Sequence, residues 1–265
     1  MKLFISADIE GCAGVSFSEE THKNEACYKR FAEQMTKEVV AVCEAAHEAG
    51  AEEIVVKDGH GDASNIDPLS MPSYVVLIRG KSGHPYNMMY GLDSSFDAVL
   101  YVGYHGPAGD PRFTLSHTST GNSRQIFLNG KVMSEFMLNS YTAASLGVPA
   151  VFLSGDEAIC ESSLKMVPGI TAVRTKRGTG GATYCVSPEK VMEELKEKTK
   201  ESLKHVKECH ISLPDSFEYE VSYKDWKKAY QMSFYPGMEA VDAFTNRLKT
   251  GRWLDVVTAH SFVVY

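Results

Sequence analysis

The sequence predicts an α/β protein, with a mostly parallel sheet and flanking helices over residues 1–160 and a smaller α+β domain over 161–265. Three observations predict it. A short apolar run, a long helical repeat and a second apolar run follow one another within the first 57 residues, the order of a βαβ unit with a right-handed crossover. Phe96 to Tyr104 is apolar almost throughout, as a strand covered on both faces would be. Past about residue 160 the composition shifts, and the elements read as α+β.

Lys2 to Ala7 form the opening strand, which ends in Asp8-Ile9-Glu10 before the chain turns at Gly11. Side chains alternate across a strand, so Asp8 and Glu10 leave one face together as a two-carboxylate claw. Ligands of open α/β sheets sit outside the carboxyl ends of the strands, where this claw lies. A nucleotide site would place a glycine-rich, phosphate-cradling turn here; two negative charges attract a cation instead.

After a polar loop over 14–24, Phe31, Met35, Val39, Val42, Cys43 and Ala46 recur at helical spacing across 25–49, with Gly50 as the stop. Glu53 to Lys57 is the second strand and leads into Asp58-Gly59-His60-Gly61. Tyr74 to Ile78 is the third and Phe96 to Tyr104 the fourth, ending at His105. Asn129-Gly130 between apolar runs signals a hairpin. Ser134 caps a helix to Leu146, and Val148 to Leu153 is a further buried strand.

In the second part, 170–175 reads as strand and Gly178 to Gly181 as a loop. That loop lacks the Lys-Ser/Thr of a phosphate-binding loop, so its glycines signify flexibility. Ser187 and Pro188 open a charged helix to about His205. Phe217 to Tyr223 alternates as a half-exposed strand, Lys224 to Met232 is helical, Ala240 to Leu248 a strand and Trp253 to Val264 a closing helix.

Composition narrows the function. The hydrophobic share of 43% and charged share of 23% are those of an ordinary globular protein. A net charge of -7 without a long Lys/Arg tract argues against nucleic acid or an anionic membrane as partner. No stretch approaches the roughly 20 apolar residues of a membrane span, and no signal-peptide pattern precedes the first strand, so a cytoplasmic protein is expected. The six cysteines are widely spaced with no C-x-x-C pair and read as reduced, mostly core thiols. Cys12 stands out for its place beside the claw.

Separate strand and helix ends carry metal-competent groups: Asp8 and Glu10, His60, His105 and Glu135. Oxygen and imidazole donors without thiolate suit Zn²⁺, Mn²⁺, Co²⁺ or Fe²⁺. If one carboxylate bridges, the five supply three ligands to each of two ions and leave room for water. His60 could instead be a turn residue, and Glu135 a carboxylate at the positive end of a helix. Paired acids closing a buried strand are harder to dismiss, since they need a cation or several amides. His117, among small hydroxyl residues in Thr114 to Thr120, can act as general acid/base or stabilise an oxyanion. His22, His47, His205, His210 and His260 read as surface or core.

Taken together, these residues resemble the DppA-type D-aminopeptidases, a family of binuclear zinc peptidases. The matching pieces are Ser6-Ala7-Asp8-Ile9-Glu10-Gly11, Lys57 to His60, Gly91 to Asp93, Gly103 to His105, Ser116-His117, Asn129-Gly130 and Ser134-Glu135 with Asn139, in family order. The resemblance implies two zinc ions per subunit bridged by Asp8, one completed by Glu10 and His60 and the other by His105 and Glu135, with His117 as catalytic imidazole. It implies cleavage of the N-terminal amide bond of short peptides or amino-acid amides, and a homo-oligomer, a decamer of stacked pentameric rings around a channel. Gly59 departs from the family, where a serine is familiar. The rival readings are a binuclear phosphoesterase or other amidohydrolase, disfavoured by the lack of a basic cluster near the claw, and a non-catalytic metal-binding protein.

Overall fold

The computed structural model describes residues 1–265, arranged around two sheets. The chain runs β1 (Lys2–Ala7), α1 (Tyr28–Glu48), β2 (Glu53–Asp58), β3 (Val75–Ile78), β4 (Ala98–Tyr104), β5 (Ser123–Leu128), β6 (Lys131–Val132), α2 (Glu135–Ser145), β7 (Ala150–Asp156) and α3 (Glu157–Met166). It continues through β8 (Thr171–Thr179), β9 (Ala182–Cys185), α4 (Pro188–Ser202), β10 (Phe217–Tyr223), α5 (Trp226–Met232), β11 (Met238–Ala240), β12 (Thr245–Thr250) and α6 (Trp253–Val263).

Seven strands form the larger sheet in the order β3-β2-β1-β4-β7-β8-β9, parallel except for the last pair. The chain builds outward from β1 to β3, then returns to lay β4 on the other side of β1. That reversal makes the crevice between β1 and β4 the topological switch point. Backbones approach closely there: a Cβ at Gly11 would stand 1.9 Å from the Tyr104 carbonyl oxygen, and one at Gly103, with φ of +73°, 2.2 Å from that of Asp8. Only glycine fits at either position. Met35, Val39, Val42, Cys43 and Ala46 of α1 are buried, as the helical spacing predicts.

The smaller sheet is antiparallel, in the order β11-β12-β10-β5-β6. Its core joins Tyr219, Val221 and Tyr223 of β10 to Trp253, Val256 and Val257 of α6. Helix α2 serves both cores, with Phe136 and Ala143 in the first and Leu138 in the second. The Asn129-Gly130 hairpin forms as expected, with φ of +50° and +74° at its two turn residues.

Four sequence expectations need correction. The two sheets do not divide at residue 160: β8 and β9 extend the first, while β5 and β6 belong to the second. Helix α3 is a further element, capped by Asp156, whose side chain accepts from the Ile159 amide at 2.9 Å. Gly178 to Gly181 is no flexible loop but the end of β8 and its turn into β9; a Cβ at Gly178 would lie 2.5 Å from the Arg112 carbonyl oxygen, so glycine serves close packing. The strand over 240–248 splits into β11 and β12.

Candidate metal centre

The five expected metal ligands each follow the carboxyl end of a strand or start a helix. Asp8 and Glu10 follow β1, His60 follows β2 and His105 follows β4, while Glu135 opens α2 behind the Ser134 cap. His117 comes from the loop before β5. The turn after β2 is stapled by the buried Asp58 carboxylate, which accepts from the amides of Asn65 and Ile66 at 2.5 and 2.8 Å; the Asn65 side chain in turn donates to the His60 carbonyl at 2.8 Å. Asp156 likewise accepts from the Gly106 amide at 2.7 Å, fixing the segment that carries His105.

The six side chains converge. Asp8 lies between two histidines, with one oxygen 3.4 Å from His60 Nδ1 and the other 3.5 Å from His105 Nε2. Glu10 Oε2 is 2.9 Å from His60 Nδ1. Glu135 Oε1 is 3.6 Å from His105 Nε2 and 3.7 Å from His117 Nε2, and the His105 and His117 rings stack with centroids 4.4 Å apart. The donor atoms of Asp8, Glu10 and His60 all lie within 4.8 Å of one another, as do those of Asp8, His105 and Glu135.

The proton positions decide what these groups can hold. His60 Nε2 faces the Thr21 carbonyl at 3.0 Å, His105 Nδ1 the Gly106 carbonyl at 3.0 Å and His117 Nδ1 the Leu115 carbonyl at 2.8 Å. A carbonyl only accepts, so each imidazole carries a proton there and, as the neutral ring a metal ligand must be, turns a bare nitrogen toward the carboxylates. Buried His105 Nε2 and Glu10 Oε2 have no hydrogen-bond partner. Lone pairs facing lone pairs in a buried pocket need a cation between them. Burial disfavours a charged His105, yet Asp8, Glu135 and Glu10 push its pKa up to about 10: the carboxylates draw a positive charge onto this imidazole, and a cation between them would supply that charge and leave Nε2 free as a donor. Burial also opposes ionisation of Asp8, but His105 and His60 hold its carboxyl well below the usual range, while burial raises Glu135. The donor set, oxygen and imidazole with outward protons locked, fits zinc.

A family model described as D-aminopeptidase matches residues 1–262. The chain belongs to the D-aminopeptidase family. A D-aminopeptidase of Bacillus subtilis (strain 168) is 28% identical over 241 residues, covering 90% of this chain and 87% of the relative. A solved structure described as the Zn-dependent D-aminopeptidase DppA from Bacillus subtilis, a self-compartmentalizing protease, matches with a TM-score of 0.94 at 26% identity, over 100% of this chain and 97% of that one.

Within this D-aminopeptidase fold, Gly59 has its own reason: a Cβ there would stand 2.6 Å from Met88 Cε and 2.8 Å from the Ala7 carbonyl oxygen. Cys12, beside the claw in sequence, belongs to none of the donor groups. It is fully buried and sits 3.2 Å from the Asp8 carbonyl, and burial pushes its thiol well above the ordinary range.

Other residues of the site escaped sequence reading. Lys176 of β8 is fully buried and donates to the carbonyls of Glu10, Cys12 and Val15 at 2.6, 2.6 and 2.7 Å, and buried Glu38 of α1 accepts from the Ala13 amide at 2.7 Å. Together they clamp the loop that carries Glu10. Ser119, at φ of +65°, gives its amide to Glu135 Oε1 at 2.7 Å and meets His260 Nε2 at 2.7 Å; His260 Nδ1 meets the Tyr219 hydroxyl at 2.9 Å. Lys81 lines the cavity itself.

Proposed function

We propose that this protein is a zinc-dependent aminopeptidase that hydrolyses the N-terminal amide bond of short peptides or amino-acid amides, with D-residues at the N-terminus. The observation that carries it is the pair of donor clusters sharing Asp8, with bare imidazole nitrogens and an unpartnered Glu10 oxygen turned inward. Family membership and the likeness to a zinc-dependent D-aminopeptidase support it. Two zinc ions per subunit would be held by Asp8 in common, one with Glu10 and His60 and the other with His105 and Glu135. Bound there, zinc supplies Lewis acidity and acidified water near neutral pH.

The rest belongs to the chain's own side chains. His117 has Nδ1–H fixed on the Leu115 carbonyl and Nε2 bare beside Glu135, so it can take a proton at Nε2 and return it to the leaving amine. A free substrate amine finds carboxylates around it, and the cavity, about 240 Å³, suits a short substrate. Lys81 alone supplies an ammonium or guanidinium group there, too little for the phosphate clamp of a phosphoesterase.

Assembly into a decamer with a size-selecting channel, and a role for 161–265 in assembly and access, are part of the same reading. The likeness to a self-compartmentalizing protease supports it. So does an exposed aromatic patch on and after α5, where Trp226, Tyr230 and Phe234 are 55%, 66% and 71% exposed. Metal analysis of the purified protein, with turnover of D-Ala-D-Ala, Gly-Leu and p-nitrophenyl phosphate side by side, tests the activity. Zinc with turnover of D-Ala-D-Ala is the expected result; phosphate release without peptide cleavage would overturn it.

A further inference from the structure

One cation at the rim of the cavity has no part in the donor cage. Lys81, in the loop after β3, lines the same cavity as Asp8, Glu10, His60, His117 and Glu135. Its Nζ donates to the Gly59 carbonyl at 3.0 Å and to Asn87 Oδ1 at 2.9 Å, and the amide nitrogen of Asn87 donates to the Tyr265 hydroxyl at 2.6 Å. Both acceptors of the ammonium are neutral, and it forms no ion pair with any carboxylate. An ammonium has three protons, so one remains to be used.

A second ammonium lies nearby. Buried Lys57 donates to the carbonyls of Asp58 at 2.7 Å and Gly80 at 2.9 Å, again neutral partners. Burial, and then the charge of Lys81, lower its pKa to about 8. Two neighbouring ammonium groups are held by carbonyl and amide oxygens, and neither is in direct contact with a carboxylate, although Glu135, Asp8 and Asp58 act on Lys81 from farther off. The cavity is thus polarised, with three carboxylates at its floor and a cation at its rim.

We propose that Lys81, positioned by Gly59 and Asn87, binds the C-terminal carboxylate of a dipeptide substrate, so that the enzyme prefers free dipeptides to substrates whose C-terminus is blocked or neutral. This rests on the aminopeptidase reading and adds to it the end of the substrate opposite the scissile bond. A dipeptide is zwitterionic, with its amine matched to the carboxylates of the floor and its carboxylate to the rim. The small cavity favours a ligand that spans both within one residue of the scissile bond.

The test compares D-Ala-D-Ala with its C-terminal amide, and the L-pair in parallel, as substrates of the zinc-loaded wild type, Lys81→Met and Lys81→Arg. The wild type favours the free acid at least tenfold in kcat/KM, mainly through KM; Lys81→Met brings the ratio to about one, and Lys81→Arg keeps most of the preference. A second arm measures equilibrium binding of the same pair to zinc-loaded His117→Ala, with and without Lys81→Met. There the free acid binds at least tenfold more tightly only when Lys81 is present. A wild type indifferent to the blocked carboxylate, or a Lys81→Met variant that keeps the preference in both arms, overturns the proposal. Should the wild type cleave none of these compounds, the aminopeptidase reading falls, and the binding arm still decides for or against the carboxylate site.

Discussion

His60, His105 and His117 each give one ring nitrogen to a backbone carbonyl and leave the other bare toward the carboxylates. The same geometry gives them different tasks. His60 and His105 flank Asp8, whereas His117 sits beside Glu135 and stacks on His105. Asp8→Ala therefore removes the one group common to both clusters, and zinc measured after dialysis falls below one ion per chain. His117→Ala keeps its zinc but loses about 10²–10⁴ in kcat, the usual contribution of a positioned acid/base; a fully active variant would refute the assignment.

Buried His260 offers a test of stability at the same scale. Burial lowers its pKa to about 3, while an unfolded histidine titrates near 6.5. Between those values the unfolded chain holds a proton that the folded chain does not, so stability falls as pH drops from 6.5 toward 3 and is unaffected above. Urea unfolding at pH 7, 6 and 5 should show the wild type losing up to about 1.4 kcal/mol per pH unit more than His260→Gln. Parallel curves would contradict it. The claw, His60 and His105 were legible because each closes an apolar run. His260 was not, because its partners Ser119 and Tyr219 lie 141 and 41 positions away.

Elements position the site through a few buried polar anchors. Lys176 on β8 holds three carbonyls of the loop after β1, and Thr175 Oγ1 holds a fourth, that of Gly11, at 2.6 Å. Lys176→Met would leave three buried acceptors unmatched, each costing about 1–3 kcal/mol. Denaturant unfolding should show a loss of about 3 kcal/mol or more, with weaker zinc binding because Glu10 is released; unchanged stability would remove the anchor role. None of this could be read locally, since the partners are more than 160 positions apart in sequence. The first βαβ unit was legible because period and length agree within 57 residues. Helix α3 was not, because β7 passes straight into it at Asp156 without an intervening loop. The hairpin of β5 and β6 was recognisable from Asn129-Gly130, but its sheet was not: β5 pairs with β10, joining Leu128 to Tyr219 across the chain.

At the scale of the molecule, the interleaving of the two sheets ties the cage to the second core. Glu135 opens the helix that both cores share, and Ser119 links Glu135 to His260 of α6. Separating residues 1–160 from 161–265 would strip β8 and β9 from the first sheet and β10 from beside β5, so neither half should fold alone. Sedimentation tests the assembly: the wild type is expected as a decamer, and Tyr230→Glu with Phe234→Glu as smaller species, because the exposed aromatic patch would carry charge. A monomeric wild type would remove the channel from the account. The most direct test of the central claim is a crystallographic anomalous difference map at the zinc edge from zinc-loaded protein. Two peaks are expected, one beside Glu10 and His60 and one beside His105 and Glu135, with Asp8 between them; a single peak, or none among these five residues, would contradict it.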